Sequence, residues 1–418
     1  MPTSIDEVRR VVAASAKVRA LGTRHSFNAI ADTAGVLVSL EQLPCPIELD
    51  PERGRVTLGA ATRDGELAPV LERAGLALAN LGSLPHISVA GACATGTHGS
   101  GDHVGNLATA VSAIELVTAN GDLLNLAREP DADRFAGSVL ALGCLGVVTR
   151  ISLDVEPSYC MRQVVYEAAE RARLPEEIDA LLAGGYSVSI FTDWHTPRGA
   201  SIWFKLREDG TSEDGTSEDG TSADGTSAAA LESLARLGAT PASAPRHPVV
   251  GMDPTSCTEQ LGVRGPWYER LPHFRLEHTP SAGEELQSEY LVSRGDARVA
   301  AAALEEVGGS LAPVLLVAEI RSVASDRLWM SPSHERDSVA FHFTWIDDPV
   351  AVERAVKIVE EVLSGFSARP HWGKLFSISP EVVQRSYSRL SDFGILVNEL
   401  DPGAKFSNEL VERYLPTR

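Results

Sequence analysis

The segment Ser83-Leu84-Pro85-His86-Ile87-Ser88-Val89-Ala90-Gly91-Ala92-Cys93-Ala94-Thr95-Gly96-Thr97-His98-Gly99-Ser100-Gly101 constrains the fold of this chain more than any other. Small residues dominate from Gly91 to Gly101, so backbone amides can approach an anion with no Cβ in the way, as a diphosphate demands. A doubly wound dinucleotide fold would set such glycines between a strand and a helix, with an acid ~20 residues later in the same βαβ unit. That context is missing here. Glu115 to Ala119 and Asp122 to Leu126 flank Asn120-Gly121, which predicts a two-residue hairpin. The stretch is either a packed loop or an anion cradle in another architecture, and alone it does not decide between them.

The flanking segments read as a mixed α+β chain. Ser4-Ile5-Asp6-Glu7 has a capping-box pattern, and Ile5, Val8, Val11, Val12 and Ala16 keep helical spacing. A strand, Val18 to Leu21, then runs into the turn Gly22-Thr23-Arg24-His25-Ser26-Phe27-Asn28. Asp133 to Leu142 reads as a helix closed by Gly143, and Gly146 to Val155 as a strand ending at Glu156-Pro157. A first domain, residues 1–157, is expected to end there. Beyond it the pattern turns β-rich, with a helix from Pro175 to Leu182 and spacing that suggests antiparallel strands over Tyr186 to Trp194 and Ser201 to Leu206. Three later strands are expected at Glu285 to Val292, Leu315 to Val323 and Val339 to Ile346. Alternation puts Glu319 and Arg321 on one face of their strand, and His342 and Thr344 on one face of theirs. Charges two apart are usually an exposed ion pair, but Val317 and Val323 beside them argue for a buried face.

Charge and cysteine usage narrow the partners. With 37 Lys and Arg against 57 Asp and Glu, the net charge of -20 would repel nucleic-acid phosphates and anionic lipid. A small neutral substrate fits better. The five cysteines lie far apart with no CxxC pair, and no window approaches the ~18 apolar residues of a membrane span. A cytoplasmic monomer with reduced cysteines is expected, without nucleic-acid or membrane partners. Seven acids sit in the repeat Glu208-Asp209-Gly210-Thr211-Ser212 and its copies to Ser227, which offer no hydrophobic position to bury. A mobile solvated loop over 208–227 is expected. Its period matches no calcium-loop spacing.

Five motifs together carry a resemblance. GTRHSFN at 22–28, the glycine-rich segment at 83–101, AEIRSV at 318–323, HFT at 342–344 and PHWGK at 370–374 occur in the order seen in bacterial alditol oxidases, including xylitol oxidases, of the vanillyl-alcohol-oxidase-like flavoprotein superfamily. The resemblance implies an α+β protein: a two-domain FAD-binding (PCMH-type) fold with an antiparallel-sheet substrate domain over 158–372, and residues 373–418 returning to the flavin. It implies covalent FAD on His25, in a turn of Gly22, Thr23, Arg24, Ser26 and Phe27, where a rigidly held neutral imidazole could add to the flavin 8α-methyl carbon. Without the resemblance, His25 would read as an ordinary hydrogen-bonded turn residue. Ser83, Ser88, Gly91, Thr95, Gly96, Thr97 and His98 correspond to the flavin cradle, with Val148 near the adenine and His371 and Lys374 beside the ring. His98 is expected to contribute backbone only. Substrate positions correspond to Ser83, Gln287, Glu319, Arg321 and Thr344, with Arg321, Lys374 and His342 aiding loss of the hydroxyl proton. A polyol would pass hydride to the flavin and oxygen would leave as hydrogen peroxide, with room for oxygen above Gly82.

The chain departs from the family in two places: relatives carry an Asn-Trp pair and a strand before the first helix, and several have glycine where Arg24 stands. A sugar-lactone oxidase or dehydrogenase of the same superfamily is the nearest alternative, and a flavin-free binding protein on the same scaffold the other. No metal is expected, since His98, Asp102 and His103 lack a further matched ligand. Because the acidic repeat buries nothing on this reading, replacing Glu208–Ser227 by a short turn should change the melting temperature little, as a thermal-unfolding comparison would show.

Overall fold

In a computed structural model of the protein, residues 1–208, 225–278 and 285–415 are described. The first helix, Ile5–Ala14, starts where Ser4 Oγ accepts the Glu7 amide at 3.3 Å, and it buries Val8 and Val12. The reciprocal half of the capping box does not form, because the Glu7 carboxylate accepts from the Thr3 amide at 2.8 Å instead. Strand Val18–Leu21 then pairs in parallel with Val36–Ser39. A five-stranded sheet follows, in the order Glu48–Asp50, Arg55–Gly59, Val147–Asp154, Val111–Val117 and Leu123–Ala127. Its last two strands meet in a longer loop than the two-residue turn expected. Val117 pairs with Leu123, the Thr118 amide donates to Asp122 O, and the Gly121 amide donates to Thr118 O at 2.9 Å. Three residues close the loop, with Gly121 at φ +85°, the left-handed position that such hairpins reserve for glycine. The helix expected over Asp133–Leu142 ends earlier, as Ala132–Val139, because Leu142 and Gly143 both turn to positive φ.

The second half builds a nine-stranded sheet whose pairings are all antiparallel. Its main path runs Thr240–Pro241, Cys160–Ala169, Ala200–Glu208, Ser187–Thr192, Leu315–Val323, Ser338–Ile346, Glu285–Ser293 and Arg369–Pro370. Period-2 alternation divides it into two chemically different faces. On one, Ile190, Ile320, Phe341, Phe343 and Trp345 form a core with helices Leu174–Leu182, Ala297–Leu311 and Pro349–Leu363. Full burial of each such side chain contributes roughly 1.5–3 kcal/mol. The other face carries Lys205, Glu289, Glu319, Arg321, His342 and Thr344, all buried.

Both chain ends and two excursions complete the N-terminal half. Trp267, Leu271, Leu328, Trp329 and Met330 pack in one core with Leu58, Val89, Trp372, Phe393 and Tyr414. Lys405 O accepts the Val18 amide at 2.9 Å, and Arg19 Nη1 donates to Phe406 O at 2.7 Å, so the last turn of chain braces the first strand. No helix among the described residues is long and apolar enough to cross a membrane.

Most of the acidic repeat, residues 209–224, lies outside the described residues, and its two ends require a correction. Arg264 Nε pairs with Glu208 at 2.7 Å, Thr226 is wholly buried, and Ser227 Oγ caps helix Ala228–Arg236 by accepting the Ala230 amide at 3.3 Å. Glu208, Thr226 and Ser227 therefore belong to the folded chain, and losing such a cap alone costs about 1 kcal/mol.

Asp64, first residue of helix Asp64–Arg73, is 3% exposed with Oδ2 unpartnered, in the wall of a cavity of about 50 Å³ shared with Asn80, Cys93 and Asn106. Burial raises its pKa from 3.8 to about 7. The folded state thus keeps a proton that the unfolded chain releases, and the stability of the neutral form is lost as pH rises from 3.8 to about 7. Asp64→Asn should gain on the parent by up to about 4 kcal/mol across that window and hold a constant difference above it. Denaturant unfolding at pH 4, 6 and 8 checks this; a pH-independent difference would refute it.

Candidate active site

Three neighbouring strands place the polar side chains on adjacent rungs. Glu289 faces His342, which faces Glu319, so these three stand in one row across the sheet. The next row holds Gln287, Thr344 and Val317, and on the other side Arg321 pairs with Ser189 and Ala340. Strands lie ~4.8 Å apart, so such rows bring carboxylates and bases within hydrogen-bond reach without any loop adjusting.

Two charged chains result. Glu289 is 1% exposed, yet His98 Nε2 lies 2.6 Å and Arg321 Nη2 3.1 Å from its Oε1, while Lys374 Nζ and, at 3.3 Å, His342 Nδ1 reach Oε2. Burial alone would raise this carboxyl, but Lys374, His98 and Arg321 hold it well below its ordinary value. Glu319 is held down likewise, by Arg321 and His273 against burial. Its Oε1 lies 2.8 Å from His273 Nε2, whose Nδ1 faces Lys205 Nζ at 3.1 Å. Lys205 also donates to Leu271 O. A lysine donating to Nδ1 fixes the tautomer in which Nε2 carries the hydrogen, so His273 donates to Glu319. Burial and the Lys205 charge press His273 to about 4, and burial lowers Lys205 to about 7. His342 is pressed to about 4 by burial and by Lys374, whose Nζ lies 2.7 Å from its Nδ1, and its Nε2 faces Thr344 Oγ1 at 3.1 Å.

Above this face lie the two turns singled out in the sequence. Arg321 Nη1 donates to Ser83 Oγ at 3.4 Å and to His98 O at 3.3 Å. The Ser88 amide donates to Thr23 Oγ1 at 3.1 Å, and the same hydroxyl lies 3.0 Å from His25 Nδ1. The Phe27 amide donates to Gly373 O, and Asn28 Nδ2 to the carbonyls of Trp372 and Lys374, at 2.7 to 2.9 Å. His25 is accessible on its turn, and its pKa is lowered by the packing around it and by the charges of His86 and Arg63. Arg24 adopts φ +63°, a left-handed conformation that costs a residue with a Cβ roughly 1–2 kcal/mol. Gly22 is held in contact with the cradle, since a Cβ there would come within 2.9 Å of Ser88 Oγ.

Of the residues picked from sequence, Ser83, Glu319, Arg321, His342, Thr344 and Lys374 come together, and His371 packs against His98 with ring centroids 6.3 Å apart. Gln287 stands on the same face, its amide donating to Glu285 at 3.1 Å. Ser83, Gly91, Thr95 and Thr97 are partly exposed, Gly96 closes helix Val89–Thr95 at φ +77°, and Val148 sits on the five-stranded sheet. Beyond the backbone contribution expected of His98, its buried ring contacts Glu289. Glu289, His273 and Lys205 were missed. Alternation from Gln287 would have given Glu289, and alternation along Ala200–Glu208 pairs Lys205 with Trp203; His273, in an irregular segment, gives no such signal. Among the described residues, no group of three or more His, Cys, Asp or Glu could hold a metal ion.

A small-residue cradle open to a ligand, beside an accessible histidine and a buried polar sheet face, fits a dinucleotide cofactor with a substrate between it and the sheet. The family profile of the FAD binding domain matches residues 1–127, and that of D-arabinono-1,4-lactone oxidase matches residues 288–414. The structure of cholesterol oxidase from B. sterolicum superposes with a TM-score of 0.74 over 99% of this chain and 93% of that one, at 14% identity. Fold and matches define a two-domain, FAD-binding oxidoreductase. An alditol oxidase from Streptomyces sp. is 45% identical over 99% of this chain and 94% of its own length. L-gulono-1,4-lactone dehydrogenase from Mycobacterium tuberculosis, 26% identical over 99% of this chain and 95% of its own, and mouse L-gulonolactone oxidase, also 26% identical over 99% and 93%, are more distant. The chain belongs to the alditol oxidase family.

Proposed function

We propose that the protein oxidises the terminal primary alcohol of an alditol such as xylitol or sorbitol to the aldose, with oxygen as acceptor and hydrogen peroxide as second product. One observation carries this reading: a buried Glu319–Arg321 pair, 3.5 Å apart, stands beside His342, Thr344 and Lys374 on the face nearest the cradle. Each hydroxyl of a bound polyol needs both a donor and an acceptor, and this set offers both. The 45% identity to an alditol oxidase, against 26% to the lactone enzymes, favours alditols over lactones. FAD, when bound, supplies the two-electron acceptor that takes hydride from carbon and passes electrons to oxygen.

The chain's own groups would do the rest. Arg321 and Glu319 hold and orient the reacting hydroxyl, and the positive charge of Arg321 and Lys374 favours the developing alkoxide. His342, neutral at pH 7 because its pKa lies at about 4, is available to take the hydroxyl proton. Ser83, Gln287 and Thr344 would bind the remaining hydroxyls. His25 would carry the covalent flavin bond, a role supported by its accessible ring, lowered pKa and anchored turn. Residues 1–157 and 373–418 would form the flavin domain and 158–372 the substrate domain. We place the enzyme in the cytoplasm as a monomer, in keeping with cysteines that lie far apart along the chain with no CxxC pair.

Two measurements test this. After acid precipitation the yellow chromophore should stay with the parent polypeptide and be lost from His25→Ala; a yellow supernatant over a colourless parent pellet disproves the covalent bond. Arg321→Lys keeps the charge but loses the guanidinium fork. It should retain flavin yet lose about a hundredfold or more in the rate of anaerobic flavin reduction by xylitol or sorbitol, corresponding to roughly 2–4 kcal/mol, while reoxidation by oxygen changes far less. Reduction at the parent rate would remove this strand from the substrate site.

A further inference from the structure

The substrate groups named above do not explain why the chain buries another carboxylate among them. We infer that Glu289 is the positioning residue of the site, the shared acceptor that holds Lys374, Arg321, His342 and His98 in one preorganised cationic cluster facing the flavin cleft. The inference rests on the flavoenzyme reading and deepens it by assigning a residue that acts through others.

The geometry is that of a hub. Each oxygen of Glu289 meets two nitrogens, Oε1 those of His98 and Arg321 and Oε2 those of Lys374 and His342. Arg321 and Lys374 donate to the carboxylate, one to each oxygen, the two imidazole nitrogens pack against the same oxygens, and 1% exposure leaves almost no approach for a substrate. The four partners come from separate parts of the chain: the glycine-rich cradle, two sheet strands, and the segment after Pro370. Without Glu289, the Arg321 and Lys374 cations would crowd one dry volume and repel. With it, Lys374 is pinned where its Nζ also reaches His342 Nδ1 at 2.7 Å, and Arg321 has one η nitrogen on Glu289 and the other directed to Ser83 and His98 O. A lone structural ion pair would engage one cation; this carboxylate engages every basic group proposed to handle the hydroxyl proton.

Electrostatics give the position a signature that a packing role lacks. Burial and Arg321 lower the pKa of Lys374, and Glu289 opposes them. Removing the Glu289 charge while keeping its shape therefore lets Lys374 lose its proton at lower pH, and at acid pH leaves the cluster more positive by one charge.

The test uses flavin-loaded Glu289→Gln. In anaerobic reduction by xylitol, the alkaline limb of the rate against pH should move down by about one unit or more, with at least a tenfold fall at pH 8. Sulfite, an anion whose binding bleaches flavin, should bind at least tenfold more tightly at pH 6 than to the parent, a readout that needs no polyol. Glu289→Asp, which restores the charge, should return the alkaline limb toward its parent position. An unshifted limb together with unchanged sulfite affinity overturns the inference. If the parent enzyme is reduced by no alditol, the proposed substrate is wrong, and the sulfite titration alone still decides the role of Glu289. Should Glu289→Gln fail to fold, Lys374→Met is compared with Lys374→Met/Glu289→Gln, in which the pair is removed together. A further loss of at least tenfold in reduction rate shows that Glu289 also serves Arg321 and His342, whereas equal rates refute the hub.

Discussion

Pairing of the Glu289 carboxylate with four nitrogen-bearing side chains is the interaction on which the rest of the site depends. Taking a charge out of water costs several kcal/mol per ion, and only close, saturated partners repay it. Here the sheet supplies the closeness. Glu289, His342 and Glu319 occupy one row across three hydrogen-bonded strands, so their spacing is set by backbone pairing and not by side-chain search. The same economy explains why Glu319 has its own support, His273 and behind it Lys205, on the far side of Arg321.

Such a cluster can persist because the opposite face of the sheet is anchored. Ile320, Phe341, Phe343 and Trp345 alternate with the polar residues and are buried by three helices, with the Phe343 and Trp345 rings stacked 5.2 Å apart. A slip of one residue in register would send this apolar set toward the cleft and the charges into the helix layer. Register is therefore enforced by the core, and the polar face inherits it.

The N-terminal half is joined to this face by backbone hydrogen bonds more than by charges. Carbonyls of the segment holding Lys374 also accept from the Phe27 amide and Asn28 Nδ2, which links the His25 turn to the cationic cluster through a few residues. The Ser83 carbonyl accepts the His273 and Phe274 amides, which ties the cradle to the chain segment that supports Glu319. A cofactor seated in the cradle would then meet two groups whose positions are mutually constrained.

Local chemistry was legible in the sequence wherever a residue's role is decided by its neighbours in the chain. Ser4 as a helix cap, the alternation of Glu319 with Arg321 and of His342 with Thr344, and the small residues from Gly91 to Gly101 depend on backbone geometry that spans a few residues. The resemblance carried by five short motifs added the cofactor and the reaction. What only the tertiary structure decided is where buried charge finds its counter-charge. Glu289 lies 191 positions from His98 and 85 from Lys374, and His273 lies 68 from Lys205. Period-2 alternation says which side chains share a face, but it is silent on what that face meets, and the free energy of a buried ion is fixed almost entirely by what it meets.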